Sequence, residues 1–451
     1  MPEFDVIIIG AGPAGLSAAT RLHALGHRVA VIAPPATRTH RQLETLPHVE
    51  VVSHAFPGLD LTAPTLVATA RAGVSWWTGD ETATHSVSVI DRGSANETGL
   101  DEQLLYHAAR AGVCIHAIEH GTARMRFDEI WHVSTPSLNL RSRFLIDATG
   151  RHSSLRQRTP LTTWQQVVIT GELQLKPDAP ALWTESLPDG WLWAIRDRTN
   201  HCLVSLFVDP SSVPMDRGQL WERTLRESRL AAEIASSLRT TLHLQEATPA
   251  AADSVFARNM LHLGDAALAR CPLAAQGLSA AISDGQSAAI ALHSLMAGTT
   301  TAPVVTEFLN SRHQQAVQCH VKFLAESYAA TSFDTSYWQS RGAAGSFNTH
   351  ALPVLTDLDQ PVMLAPQWQL RPHPTLEGDC IRVAPCLCSA EETLRWIAGC
   401  PAAELLAPLC SSASTTIRAL LLNWAACQVA EGQRARQVLD WLSQRRVLVP
   451  A

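Results

Sequence analysis

The chain has 451 residues, of which 46% are hydrophobic and 17% charged, and its formal net charge is −6. This length and composition predict a globular protein of two or three lobes and exclude a disordered chain. The small negative charge gives no electrostatic reason to expect nucleic acid or an anionic membrane as a partner. The best apolar run, 419–430, is too short to span a bilayer, and the start of the chain lacks the basic segment of a signal peptide. We therefore expect a cytoplasmic protein.

The chain opens with a strand, a glycine turn and a helix. Asp5–Ile9 is an apolar, β-branched run typical of a buried parallel strand, and Leu16–Leu25 has helical spacing. The turn between them has G-x-G-x-x-G spacing, which lets the backbone approach a pyrophosphate at the helix N-terminus. Its candidate cofactor-binding residues are Gly10, Gly12, Pro13, Ala14 and Gly15.

The second strand, His27–Ile32, lacks the acidic residue that usually binds the adenosine ribose. Ala33 occupies that position. Arg38, Arg41 or main chain would have to bind the ribose instead, and Arg41 is included among the candidate cofactor ligands.

Further elements follow in chain order. A helix is expected from Asp101 to Ala111 and a strand from Arg143 to Asp147. Val167–Leu175 and His201–Val208 alternate apolar and polar residues, which predicts an antiparallel sheet. Helical spacing dominates from Leu278 to Ala330.

Two later glycine motifs complete the pattern of the first. Asp147-Ala-Thr-Gly150-Arg151 follows the predicted strand, and Gly264-Asp265 precedes Pro272 and the run Gln276-Gly277-Leu278. Each motif alone is weak evidence, but their order and local context together predict one FAD site. The later candidate cofactor residues are Asp147, Gly150, Gly264, Asp265, Pro272, Gln276, Gly277 and Leu278.

The last segment begins in a Pro-rich stretch from Pro353 to Pro385. Beyond it, short helices and a final apolar strand predict a small winged-helix-like domain; the helices are expected at Glu391–Ile397, Ala403–Leu409, Ser414–Val429 and Arg434–Leu442. The ten cysteines form no C-x-x-C pair, so we expect reduced thiols and no metal site. The predicted divisions are a first FAD-binding part (1–160), an antiparallel β substrate domain (161–255), a second FAD-binding part with a long helix (256–350) and a C-terminal domain (351–451).

Three segments, Asp5–Gly15, Phe144–Arg156 and His262–Gly285, resemble the FAD-binding segments of a flavoprotein group. This group joins single-component aromatic hydroxylases to flavin-dependent tryptophan halogenases. The resemblance implies an α/β fold with a Rossmann-type FAD-binding domain and an inserted antiparallel sheet. It also implies that Asp265 bonds a ribitol hydroxyl, that Pro272 and Gly277 line the isoalloxazine, and that Arg92 and Asp101 lie near the pyrophosphate.

A second resemblance concerns the substrate side. Trp191-Leu-Trp193-Ala-Ile195 is similar to the W-x-W-x-I-P signature of the halogenases, with Arg196 in place of proline. Two tryptophans at this spacing are equally typical of one face of a strand in a sheet core. The halogenases use a lysine near the end of the first lobe, whereas the two lysines here are Lys176 and Lys322. Arginine cannot replace the amine, so oxygen insertion into an aromatic ring is favoured over halogenation.

With its C-terminal domain, the whole chain resembles the flavoprotein monooxygenases of tryptophylquinone cofactor biogenesis. The resemblance implies hydroxylation of a tryptophan-bearing polypeptide with molecular oxygen, using electrons from NAD(P)H or a separate reductase. Candidate catalytic residues are Trp191 and Trp193 as a pocket wall and His313, His320 and Glu326 as a base, although each of the last three is more typical of an ordinary, solvated or capped helix surface. The alternatives are a halogenase-like enzyme or small-molecule hydroxylase, a flavin reductase or oxidase of a lipid or isoprenoid, and a non-enzymatic maturation partner.

Overall fold

The computed structural model describes residues 3–33, 42–61, 66–71, 73–83, 87–93, 99–118, 124–197, 199–237, 241–342, 357–411 and 414–451. The chain forms two compact units. The first comprises Met1–His293 and His320–Ser346, and the second comprises Ser294–Cys319 and Phe347–Ala451. Within the described ranges no helix is long and apolar enough to cross a membrane.

The strands of the first unit are β1 Phe4–Ile9, β2 Val29–Ala33, β3 Leu43–Leu46, β4 Leu66–Arg71, β5 Val74–Trp76, β6 Thr82–Ala83, β7 Val87–Asp91, β8 Cys114–Ala117, β9 Arg124–Asp128, β10 Ile130–Ser134, β11 Asn139–Asp147, β12 Arg158–Pro160, β13 Val167–Leu175, β14 Leu182–Leu187, β15 Gly190–Arg196, β16 His201–Val208, β17 Ile234–Ser237, β18 His243–Glu246, β19 Ala250–Ala252, β20 Phe256–Ala257, β21 Met260–His262 and β22 Leu268–Ala269. Its helices are α1 Pro13–Ala24, α2 Glu50–Ala55, α3 Leu100–Arg110, α4 Arg217–Glu227 and α7 Ser336–Gly342. Two longer helices, α5 Gly277–Met296 and α6 Ala302–Ala329, contribute residues to both units.

A mixed sheet with the order β20-β21-β11-β1-β2-β8 forms the frame of the first lobe. β1 pairs in parallel with both β11 and β2, and Ile9 lies in register with Asp147. Val6–Ile9 are buried because a parallel strand in the middle of such a sheet is covered on both faces. The carboxyl ends of β1, β11 and β21 therefore meet at one edge, where the glycine motifs follow.

The second large sheet is antiparallel apart from one pair and has the order β17-β13-β16-β15-β14-β5-β6. β13 and β16 have the bounds that the alternating sequence pattern predicts. Leu220, Trp221 and Leu225 of α4 belong to the same buried cluster as one face of this sheet. Two smaller three-stranded sheets, β12-β19-β22 and β3-β7-β4, complete the unit.

The second unit contains a series of strands followed by three helices with short strands between and after them. They are β23 Pro361–Leu364, β24 Gln369–Glu377, β25 Cys380–Cys388, β26 Thr393–Leu394, β27 Trp396–Ile397, β28 Cys400–Pro401, α8 Ala402–Ser411, β29 Thr415–Thr416, α9 Ile417–Ala426, α10 Gly432–Gln444 and β30 Leu448–Pro450. Trp424 is fully buried among these elements and donates its indole N–H to the Leu405 carbonyl at 2.8 Å.

The predicted α/β class is confirmed, with a parallel-sheet lobe, an inserted antiparallel sheet and a small C-terminal module containing helices. The predicted helix at Glu391–Ile397 is wrong. Thr393 pairs with Cys388, and Ile397 pairs with Cys400 around a turn in which Ala398 and Gly399 both have positive φ. Strand pairing and this turn override the helical spacing, because a left-handed residue pair closes a tight hairpin and ends a helix.

Candidate functional site

The turn after β1 shows why two of its glycines are needed. Gly10 has φ +110°, and a Cβ there would lie 2.3 Å from the Ala148 carbonyl oxygen. A Cβ on Gly15 would lie 2.3 Å from the Gly10 carbonyl oxygen. Only glycine allows this approach of the turn to the Asp147–Arg151 loop, so the first two glycine motifs lie side by side.

Gly12 differs from both, since a Cβ there would have no heavy atom of the protein within 4 Å. Its backbone is extended and it precedes Pro13 at the first position of α1. No side chain caps the helix, and its first turn has no acidic residue. An uncapped N-terminus with open space beside it suits a bound anion, and this is where the sequence places the pyrophosphate.

The third motif packs onto the same helix. A Cβ on Gly264, which has φ +57°, would lie 2.9 Å from the Ala14 Cβ, and one on Gly285 would lie 2.5 Å from the Ala14 carbonyl oxygen. The Ser17 hydroxyl donates to the Ile282 carbonyl at 2.8 Å, so helix α5 is bonded to α1. Together with the contact of Gly10 and Ala148, these approaches bring all three glycine motifs to one place.

Asp147 joins the ends of two neighbouring strands. Its carboxylate accepts hydrogen bonds from the Ser153 hydroxyl at 2.5 Å, the Thr149 hydroxyl at 2.6 Å and His262 Nδ1 at 2.8 Å. Burial alone would raise the pKa of Asp147, but these hydrogen bonds outweigh it and hold the pKa below its ordinary value. The carboxylate therefore fixes the loop that carries Gly150.

Asp265 lies in a short 3-10 turn, Gly264–Ala266, and its side chain remains 41% exposed. Its carboxylate lies 3.8 Å from Arg151 Nε, and Arg156 donates to its main-chain carbonyl at 3.0 Å. Arg151 also donates to the carbonyl of Arg270 at 2.8 Å. The turn is thus fixed by its backbone while a carboxylate oxygen stays accessible to a ribitol hydroxyl.

The flavin-ring side of the predicted site lies between Cys271 and the start of α5. Pro272 begins the 3-10 turn Pro272–Ala274, and the next residue, Ala275, has φ +52°. Gln276 and Gly277 are exposed, Leu278 is buried, and the first turn of α5 has no acidic residue. A helix N-terminus here supplies partial positive charge of the kind that favours a reduced, anionic flavin ring.

Arg92 is committed to two carboxylates. It donates through Nε and Nη2 to Asp101, both at 2.9 Å, and through Nη1 to Glu44. Burial would lower the pKa of Arg92, but both carboxylates raise it well above its ordinary value. A role near the pyrophosphate stays a prediction, as do those of Arg38 and Arg41, which lie outside the described residues.

The residues present fit FAD. Gly12, Gly150 and Gly277, one from each glycine motif, each have a backbone beside which a Cβ would meet no protein atom. The N-terminus of α1 is uncapped and the carboxylate of Asp265 is accessible. Among the described residues, no cluster of histidine, cysteine and carboxylate side chains suits a metal ion.

Trp191 lies inside an aromatic cluster of the first unit. Its ring is fully buried, stacks on Phe207 with a centroid separation of 3.8 Å, and donates its N–H to the Tyr328 hydroxyl at 3.2 Å. Trp193 is half-buried and packs on the edge of the same cluster. We refer to the following residues as the aromatic cluster: Trp77, Trp164, Trp191, Trp193, Phe207, Cys271, Leu273, Tyr328, Phe333, Tyr337 and Trp338. Because Cys271 and Leu273 flank Pro272, the cluster borders the predicted flavin-ring side.

The three candidate bases occupy different surroundings. Buried His320 accepts the Cys271 backbone N–H at Nε2, 3.0 Å away, and burial, with Arg270 and Arg151, lowers its pKa to about 4. An imidazole with that pKa is a weak proton acceptor at neutral pH, so the contact gives His320 a positioning role for the Cys271–Pro272 segment. Glu326 is exposed, and His313 belongs to the second unit.

Several residues of the aromatic cluster were not predicted from the sequence. Tyr328 is buried beside Cys271, and burial raises its pKa well above the ordinary value. Trp77 donates its indole N–H to the Ser327 carbonyl at 2.6 Å, and Trp338 donates to the Leu187 carbonyl at 2.8 Å. The available signal was compositional: two of only three tyrosines, at 328 and 337, fall in one short segment with a tryptophan.

Comparisons with known proteins agree with this geometry. A family model described as tryptophan halogenase matches residues 94–350, which is more than half of the chain, and one described as pyridine nucleotide-disulphide oxidoreductase matches residues 4–103. A search of curated protein sequences returned no significant match.

Solved structures share the fold at low sequence identity. The peptidyl tryptophan dihydroxylase QhpG, essential for tryptophylquinone cofactor biogenesis, is 23% identical with a TM-score of 0.72, and the alignment covers 98% of each chain. The flavin-dependent halogenase CmlS is 18% identical with a TM-score of 0.78, covering 100% of this chain and 96% of its own. The p-nitrophenol 4-monooxygenase PnpA from Pseudomonas putida DLL-E4 is 18% identical with a TM-score of 0.60, covering 76% and 92%.

The fold and the convergent glycine motifs define an FAD-dependent oxidoreductase. Within that class, the chain belongs to the tryptophan halogenase family.

Proposed function

We propose that this protein is an FAD-dependent monooxygenase that hydroxylates the indole ring of a tryptophan within a polypeptide. One oxygen atom of O₂ would enter a ring C–H bond, and the other would leave as water after taking up two electrons and two protons. The electrons would come from NAD(P)H or from a separate reductase. FAD held by the three glycine motifs would supply the redox chemistry that activates oxygen.

The positions of the two lysines are the observation that favours oxygenation over halogenation. The halogenation chemistry of the resembling enzymes needs an amine, and only Lys176 and Lys322 can supply one in this chain. Lys176 is exposed at the end of β13, where its ammonium group donates to the Ala232 carbonyl. An ammonium group engaged with a main-chain carbonyl at an exposed strand end is poorly suited to act at an aromatic substrate. Neither lysine lies within the first 175 residues, where the resemblance places the amine of the halogenases.

The aromatic cluster supports an indole-sized substrate beside Pro272. The ring of Trp77 contacts those of Trp191 and Trp338, with centroid separations of 5.9 and 5.3 Å. Such edge-to-face walls bind aromatic rings and exclude water from the reacting carbon. His320 would hold the Cys271–Pro272 backbone at one side of this wall.

The polypeptide form of the substrate rests on the extent of the structural likeness. QhpG, whose own substrate is a peptidyl tryptophan, aligns over nearly the whole chain, including the second unit. PnpA, described as acting on a small phenol, aligns over about three quarters of it. CmlS also aligns over the full length, so the second unit favours a polypeptide only in combination with the lysine argument.

The test mixes the FAD-loaded protein with a reductant, O₂, bromide or chloride, and a tryptophan-bearing polypeptide. Mass spectrometry should show gains of one oxygen atom per turnover and no halogen, with hydrogen peroxide formed when the polypeptide is omitted. Lys322→Met should leave this product unchanged. A halogenated indole that disappears in Lys322→Met would establish the family's halogenation instead and refute the proposal.

A further inference from the structure

Three buried side chains of the first unit have polar atoms that find no hydrogen-bond partner within the protein. They are Gln166 Nε2, the Tyr337 hydroxyl and Arg341 Nε. The residues are 0%, 3% and 2% exposed. A buried donor without a partner destabilises the fold by about 1–3 kcal/mol, so three of them in one region need acceptors, which either an ordered water or a bound ligand would supply.

These side chains lie together at the aromatic cluster. The Arg341 guanidinium carbon is 3.6 Å from the centroid of the Tyr337 ring and 4.6 Å from that of Trp164. The Tyr328 hydroxyl lies 3.5 Å from Gln166 Oε1 and 3.8 Å from Cys271 Sγ. Gln166 is thus connected through Tyr328 to the segment that precedes Pro272. Arg341 reaches the same tyrosine through Trp164, whose ring centroid lies 5.5 Å from that of Tyr328.

The chemistry of the three atoms specifies the ligand. An amide N–H and a guanidinium N–H only donate, and a tyrosine hydroxyl donates readily, so together they suit an oxygen acceptor. The charge of Arg341 is already balanced by the carboxylate of Asp209, which lies 2.5 Å from Nη2. Its Nη1 donates to the Tyr337 carbonyl at 3.0 Å, so Nε is the nitrogen left for a ligand. A site of neutral overall charge favours a neutral oxygen over a carboxylate.

We propose that Gln166, Tyr337 and Arg341 bind a neutral acceptor oxygen of the aromatic substrate and thereby determine its specificity. The proposal rests on the function proposed above and names a feature of that substrate. Two sources share the required chemistry: a main-chain carbonyl beside the tryptophan, and a hydroxyl already present on the ring. In either case the hydrogen bonds would fix the orientation of the substrate ring relative to the flavin-ring side of the site.

The experiment measures binding to the FAD-loaded, full-length protein by isothermal titration calorimetry. The ligands differ in the oxygen that they carry. N-acetyl-tryptophanamide has only carbonyl oxygens, 3-methyl-6-hydroxyindole has only a hydroxyl on the ring, and 3-methylindole has no oxygen. Tyr337→Phe removes one donor, and Gln166→Leu removes another donor together with the Oε1 atom that accepts from Tyr328. Tyr106→Phe is the matched control for the tyrosine substitution because Tyr106 is exposed. Thermal unfolding of each variant reports on the fold.

Removal of each donor should reduce the affinity for at least one oxygen-bearing ligand by about three- to ten-fold, which is the loss expected for one hydrogen bond. The affinity for 3-methylindole should not change. Tyr337→Phe should unfold at the wild-type temperature or above it, since it deletes an unpartnered buried hydroxyl. The ligand that weakens identifies the source of the oxygen. If both variants fold and bind all three ligands as wild type does, or if all three ligands weaken together with a lower unfolding temperature, the proposal is overturned. If the variants lose affinity selectively but the enzyme forms no oxygenated product, the proposed monooxygenase function is refuted and the oxygen-binding site is not.

Discussion

His320 illustrates how the site depends on single side chains. It is an imidazole held neutral so that its Nε2 can accept the Cys271 N–H. Because the pKa of His320 is about 4 in the folded protein, against an ordinary value of 6.5, the unfolded chain binds a proton more readily between those values. Stability from this group is fully present above pH 6.5 and is lost as the pH falls toward 4.

We expect the unfolding temperature of the FAD-loaded protein to fall between pH 6.5 and 4, with His320 contributing up to about 3 kcal/mol of that loss. His320→Gln retains an acceptor for the Cys271 N–H but cannot titrate, so its pH profile over this range should be flatter. Differential scanning calorimetry at intervals of half a pH unit measures the effect. His54→Gln, at an exposed position, controls for the introduced glutamine. Parallel profiles for wild type and His320→Gln would contradict the assignment.

Only some of the site residues could be predicted from the sequence. The positions of Gly10, Gly12 and Gly15 could be predicted because a tight strand-to-helix turn that approaches a pyrophosphate has a local pattern of glycines. The buried donors Gln166 and Arg341 could not, because their surroundings come from segments more than a hundred residues apart in the chain. The surroundings of His320 were likewise invisible, since its partner Cys271 lies on a different element.

At the level of elements, the turn between β1 and α1 separates two roles of glycine. At Gly10 a side chain would collide with the Ala148 backbone, whereas at Gly12 it would project into space free of protein atoms. The first glycine is therefore needed by the fold and the second by the ligand.

Gly12→Val should give a folded protein without FAD, because its side chain would occupy the space beside the helix N-terminus that the pyrophosphate needs. Gly10→Val should instead destabilise the first lobe by several kcal/mol, since backbone cannot yield at 2.3 Å. The ratio of flavin to protein absorbance and the circular dichroism melting curve distinguish the two. Full FAD occupancy in Gly12→Val would show that the cofactor site lies elsewhere.

The bounds of β13 and β16 could be predicted because one face of each strand is buried, and the sequence alternates accordingly. The segment 391–397 could not, because its two short strands exist only through pairing with β25 and β28. The hairpin of β24 and β25 was also missed, since Pro372 and Pro385, which oppose each other in it, are residues that argue against a strand.

For the molecule as a whole, the issue is what the second unit adds to an enzyme whose FAD motifs all lie in the first. If that unit recognises a polypeptide, remote contacts would supply the binding energy that positions the indole. Free tryptophan lacks those contacts.

Under identical conditions, we expect a tryptophan-bearing polypeptide to be oxygenated at least about a hundred-fold faster than free tryptophan, a difference of about 2.7 kcal/mol in transition-state binding. Mass gain in steps of one oxygen atom, followed over time, gives both rates. Replacing the tryptophan of the polypeptide with phenylalanine is the control. Equal rates for the free amino acid and the polypeptide would reassign the enzyme to the small-molecule hydroxylases.

The bonds between α1 and α5 have a consequence for how the protein is made. Ser17 is hydrogen-bonded to Ile282 and to Gln286, so the lobe that captures FAD is closed by residues far along the chain from its opening turn. During synthesis on the ribosome, the first glycine turn emerges well before helix α5, which is hydrogen-bonded to α1. The whole inserted antiparallel sheet is synthesised between the two. Since contacts of such large sequence separation form slowly, FAD uptake should be among the last events of folding, and a chain arrested before Gly264 should not retain the cofactor.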